Sequence, residues 1–160
     1  MEFDHLPEFL NSVYEPLCLR AKRLCEHLKE QNILCERGFY NLHAVRRGES
    51  FFTEHFPIPV VTAKGLGDFG FELDHVFFEA VLPREKAREL DFVELTRDFD
   101  AEIYGADNFL FDFYHAGMDA SHIHKSIQNS AEKEICVSLR FPSDTTVFDL
   151  LGAARRLAAK

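Results

Sequence analysis

The feature that most constrains this chain is the run FGFELDHVFFEAVL, residues 69–82. Apolar side chains recur at every second position, the period of a β-strand with one face buried. The alternation changes phase within the run. Phe69, Phe71 and Leu73 share one face, whereas Val76, Phe78, Ala80 and Leu82 share the other. A one-residue slip turns every side chain over, so a continuous strand here requires a bulge or a change of sheet partner near His75.

The segments that follow alternate in type. Pro83 suits a helix start, where its missing N–H costs nothing. Residues 84–95 carry Ala87, Leu90 and Val93 at helical spacing. Residues 98–104 return to strand alternation, with Phe99, Ala101 and Ile103 inward and Asp98, Asp100, Glu102 and Tyr104 outward. The stretch Gly105-Ala106-Asp107-Asn108 reads as a hairpin turn. A strand over 109–115 follows, with Phe109, Phe111 and Phe113 on one face. Next comes a helix over about 119–131, capped by Asp119 or Ser121. A strand over 134–141 and a helix over 145–158 complete the chain.

From residue 69 onward the order is therefore strand, helix, strand, strand, helix, strand. That order predicts an α+β fold: an antiparallel sheet with helices on one face and a ferredoxin-like (βαββαβ) core. Upstream, residues 8–31 carry an amphipathic helical stripe, with Pro16 expected to kink or restart it. Short strands are expected over 37–45 and 58–64. The N-terminal helix and strand pair are additions to the core, and 160 residues without a Gly-, Ser- or Pro-rich linker predict one domain over 1–160.

Composition narrows the function classes. Seventeen Phe and no Trp predict a Phe-rich core, since Phe brings packing area without a polar handle. A net charge of −9 argues against binding nucleic acid or an anionic membrane, both of which require a basic surface. The first ten residues show neither a basic n-region nor an apolar h-region, so a cytoplasmic location is expected. Cys18, Cys25, Cys35 and Cys136 form no C-x-x-C pair, and buried thiols in a reducing compartment are expected.

Three patterns carry candidate chemistry. Gly65-Leu66-Gly67-Asp68-Phe69-Gly70 matches G-x-G-x-x-G, but a strand follows it where the dinucleotide motif needs a helix N-terminus. The glycines are therefore assigned to a tight turn. His122 and His124 form H-x-H, yet on a helix they lie about 200° apart and cannot share one ion. Asp112, His115 and His122 remain weak metal candidates. The third pattern is the sheet face turned away from the helices, which gathers Glu79, His75, Asp98, Asp100, Glu102, Asp112, Tyr114, Ser138 and Arg140. Glu79, Asp100, Asp112, His115 and Arg140 are the ligand-binding candidates, with Glu79 singled out because apolar neighbours disfavour a charged carboxylate.

No G-x-S-x-G and no Walker A is present, and no cofactor is expected. The sequence favours a small acidic module that binds a protein partner or a small ligand without catalysis. Self-association as a homodimer is expected by fold analogy, and light scattering showing only monomer at micromolar concentration would count against it. Two alternatives are a divalent-metal-dependent hydrolase or phosphoryl-transfer enzyme built on the sheet-face carboxylates, and a chaperone-like adaptor for basic or amphipathic peptides.

Overall fold

The computed structural model describes residues 14–40, 58–72, 74–106 and 112–158. The expected helix start at 8–13, the strand end at 41–45, Leu73, Phe109 and Phe111 lie outside the described residues.

The fold is mixed α+β. Seven strands form a sheet in the order β1-β2-β3-β4-β7-β5-β6. They are β1 (Cys35–Tyr40), β2 (Ile58–Ala63), β3 (Gly67–Phe71), β4 (His75–Pro83), β5 (Asp100–Gly105), β6 (Asp112–Tyr114) and β7 (Glu134–Pro142). The helices are α1 (Glu15–Glu30), α2 (Arg84–Ala87), α3 (Phe92–Asp98), α4 (Ile123–Gln128) and α5 (Val147–Ala158). A 3₁₀ turn, Ala120–His122, leads into α4. The described residues fall into two compact units, one within residues 1–64, 68–76 and 142–147, the other within residues 65–67, 77–141 and 148–160.

In the first unit, α1 carries Pro16 in its first turn, which fits the restart expected there. Leu17, Ala21, Leu24, Cys25 and Leu28 are its buried stripe. The helix ends on Asn32, the one described non-glycine residue with positive φ, at 60°. Asn32 N–H donates to Lys29 O (3.0 Å) and Ile33 N–H to Leu28 O (2.9 Å). This reversal satisfies two terminal carbonyls and sends the chain back as β1. β1 pairs antiparallel with β2, from Cys35 opposite Ala63 to Tyr40 opposite Ile58.

The predicted long strand over 69–82 is two strands. β3 ends at Phe71 and β4 starts at His75, and Glu72 N–H donates to His75 O (2.9 Å) across the connection. The phase change in the sequence is thus a hairpin turn, not a bulge. Glu-Leu-Asp-His carries neither glycine nor proline, which is why composition did not announce the turn.

The second unit departs from a ferredoxin-like core. Its strands run β4-β7-β5-β6, so the last strand lies between the first and second. Each helical connection still passes over one strand: β4 to β5 over β7, and β6 to β7 over β5. The split crossover anticipated from element order is present, with a different strand inserted. The helix expected over 84–95 is also divided. α2 stops at Ala87, and Asp91 caps α3 by accepting from Glu94 N–H (3.1 Å).

β7 pairs with β5 from Asp100 opposite Arg140 to Gly105 opposite Ile135. Opposed residues share a face. On one face Ala101, Ile103, Ile135, Val137 and Leu139 are buried. Leu150, Leu151, Ala154 and Leu157 form the buried stripe of α5.

Candidate functional site

The other face of the second unit changes character along its length. Asp100 and Arg140, directly opposed, are exposed. Two rows on, Tyr104 and Cys136 are buried, as are Ser138 and Glu79. The face expected to be open is therefore open at the Asp100 end and covered at the Glu79 end. Glu79 lies on β4, Cys136 on β7 and Tyr104 on β5, so the strand order brings all three together. Tyr104 Oη–H donates to Glu79 Oε1, and Cys136 Sγ donates to the same oxygen at 3.6 Å. A carboxylate held by two donors out of water is built to stay in place.

Asp112 and His115 form an exposed pair, with Oδ2 and Nδ1 2.8 Å apart. His122 Nε2 lies 3.4 Å from Asp119 Oδ2, also at the surface. Two bonds from Ser121, backbone N–H first, hold the Asp119 carboxyl below its ordinary range. His124 turns elsewhere: its Nε2 lies 2.8 Å from Leu90 O and its ring packs on Phe92 at 4.8 Å. Asp112 and His115 thus form one local pair, and His122 belongs to another with Asp119. Gly67 explains the glycine-rich motif. Its φ is +150°, and an added Cβ would stand 2.3 Å from Glu79 O. The glycine serves close backbone packing, not a phosphate.

Two constellations lie in the first unit and had only partial signals in the sequence. The first is Glu72, Asp74 and His75, whose ligating atoms all lie within 4.8 Å of one another. Glu72 and His75 are 5% and 3% exposed. The sequence places His75 on the polar sheet face; the turn sets Glu72 across from it, beside its sequence neighbour Asp74.

The second is a cavity of about 240 Å³ between α1 and the paired strands β1 and β2, lined by Cys18, Ala21, Arg37, Gly38, Pro59 and Val60. Among the described residues its walls are largely apolar and carry one guanidinium, that of Arg37. Burial pushes the Cys18 thiol up, and the nearby Arg37 charge pulls it only partly back. A thiol shifted in this direction holds its proton more firmly and is less nucleophilic than a free cysteine. In the same unit, Cys25 Sγ and Cys35 Sγ lie 2.7 Å apart as thiols. No helix among the described residues is long and apolar enough to cross a membrane.

A conserved hypothetical protein from Pyrococcus furiosus has a similar solved structure, with a TM-score of 0.66, 21% identity and 98% of each chain covered. At that identity the likeness shows the shared fold alone. No curated protein matches the chain. Residues 8–149 match the family described as "Protein of unknown function (DUF3201)", and the chain belongs to that family.

Proposed function

We propose that this protein is a non-enzymatic binding module whose ligand is a small molecule with an apolar body and one anionic group. The observation that carries the reading is the cavity between α1 and the paired strands β1 and β2. Ala21, Pro59 and Val60 supply apolar wall, and Arg37 supplies a planar, permanently charged fork suited to a carboxylate. Apolar lining with a few placed polar groups is the general plan of small-molecule sites. At about 240 Å³ the cavity is smaller than the 300–1,000 Å³ common for drug-sized ligands, so a short aliphatic or single-ring carboxylate is the matching class. A Cys18 thiol that holds its proton more firmly fits binding better than covalent catalysis.

The test is a ligand-observed NMR screen of small carboxylates and their neutral amides against the whole chain. Carboxylates should bind and the matching amides should not. Arg37→Gln should weaken binding at least tenfold while leaving the melting temperature within a few degrees, because Arg37 is exposed. Binding that is indifferent to Arg37, or no carboxylate binding at all, would overturn the reading.

A further inference from the structure

We infer that Glu72, Asp74 and His75 form a divalent-cation site at the β3–β4 turn, independent of the cavity. The turn builds it. Glu72 N–H donates to His75 O (2.9 Å), which makes the two residues cross-strand neighbours with side chains on one face. His75 Nδ1 lies 2.6 Å from Asp74 Oδ1, and His75 Nε2 lies 2.9 Å from Glu72 Oε2. Glu72 and His75 are almost fully buried, while the Asp74 side chain is 77% exposed.

The two ring nitrogens of His75 each face a carboxylate, Nδ1 toward Asp74 and Nε2 toward Glu72 Oε2 at 2.9 Å. An octahedral cation with bonds of about 2.1 Å places adjacent donor atoms about 3.0 Å apart, since the separation is the bond length times the square root of two. The Nε2 to Oε2 spacing matches that edge. Asp74 occupies the place of the carboxylate that orients a metal-binding histidine through its other nitrogen.

The donor set selects the ion class. One imidazole and carboxylate oxygen, with no thiolate, suit Mn²⁺, Co²⁺, Ni²⁺ or Zn²⁺ rather than Cu⁺. The imidazole disfavours Ca²⁺, which takes oxygen ligands. Glu72 Oε2 and His75 Nε2 are the two protein ligands, and Asp74 orients the ring from its Nδ1 side. Two protein ligands make a weaker site than a closed four-ligand one.

The experiment titrates Co²⁺ into the whole chain at neutral pH, following visible absorption and the histidine ring protons by NMR. One ion should bind per chain and shift the His75 ring resonances paramagnetically. Glu72→Gln should weaken binding at least tenfold, and the exposed Asp74→Asn should weaken it about tenfold, as loss of an orienting carboxylate does. No uptake, uptake unchanged in both variants, or a paramagnetic shift at His115 or His122 with His75 unmoved would overturn the site. Should Glu72→Gln fail to fold, the wild-type shift pattern and Asp74→Asn still decide the matter.

Discussion

At the scale of single residues, two glycines are held for different reasons, and substitution separates them. A Cβ on Gly105 would stand 2.4 Å from Glu132 Cδ and 2.5 Å from its Oε1. Glu132 is buried, and among the described residues its Oε2 has no hydrogen-bond partner. The obstacle is a side chain, so another mutation can remove it. Gly105→Ala is expected to cost about 1–3 kcal/mol in the native chain, as overpacking does. In a Glu132→Ala background the same change should be close to neutral. Gly67 meets the backbone oxygen of Glu79 instead, at a φ of +150°. Gly67→Ala should cost at least as much, and no side-chain truncation should recover it. Urea unfolding of the four Gly105/Glu132 combinations measures the coupling. Additive costs would show that Glu132 does not set the limit at Gly105.

At the scale of elements, Arg84 ties the start of one helix to the end of another. It opens α2, and its guanidinium donates to Gln128 O (2.6 Å), Ser130 O (2.7 Å) and Glu132 O (3.0 Å). The last carbonyls of a helix have no partner within it, so this fork closes α4 and the turn beyond. Arg84→Ala should cost about 2–4 kcal/mol, given that hydrogen bonds to a charged group contribute about 1.5–3 kcal/mol each and act together here. Arg84→Lys should recover less than half, because a single ammonium cannot span three carbonyls arranged around a planar fork. Full recovery by lysine would mean that charge, not geometry, closes the helix.

The elements themselves were largely legible. The stripe Leu17–Leu28, the β2 strand and the α5 helix follow apolar periodicity, which burial enforces residue by residue. The turn at Glu72–His75 was legible only as a break in alternation. The division of 84–98 was hidden because Asp91 resembles an ordinary polar position until it caps. Strand order was not legible, since pairing β7 between β4 and β5 depends on the whole set of faces. Glu79 was singled out from its apolar neighbours, but its partners Tyr104 and Cys136 follow from that strand order.

At the scale of the whole molecule, the titrating groups define a stability profile with two limbs. Bonds from Arg156 and then Arg97 hold the Asp98 carboxyl below its ordinary 3.8, and Ser121 does the same for Asp119. A depressed folded value means the unfolded chain takes up protons first. The stability these carboxylates contribute is present above about pH 4 and is lost as pH falls below it. On the alkaline side, burial first, then the hydrogen bond and charge of Cys25, push the Cys35 thiol from 9.0 up to about 11. Burial, with Cys18, pushes the Tyr14 hydroxyl from 10.0 up to about 12. A raised folded value means the unfolded chain releases its proton first. That stability is complete below about pH 9 and declines as pH rises from 9 toward 11 for the thiol, and from 10 toward 12 for the phenol. The melting temperature, followed under reducing conditions, should therefore be lost on both sides of a plateau between about pH 4 and 9. Because the net charge of −9 adds repulsion that also grows with pH, the scans belong at high salt, where that repulsion is screened. Cys35→Ala should lower the plateau yet flatten the descent between pH 9 and 11, leaving the later fall from Tyr14 in place. An alkaline limb of unchanged slope in Cys35→Ala would show that the thiol pair in the first unit does not set it.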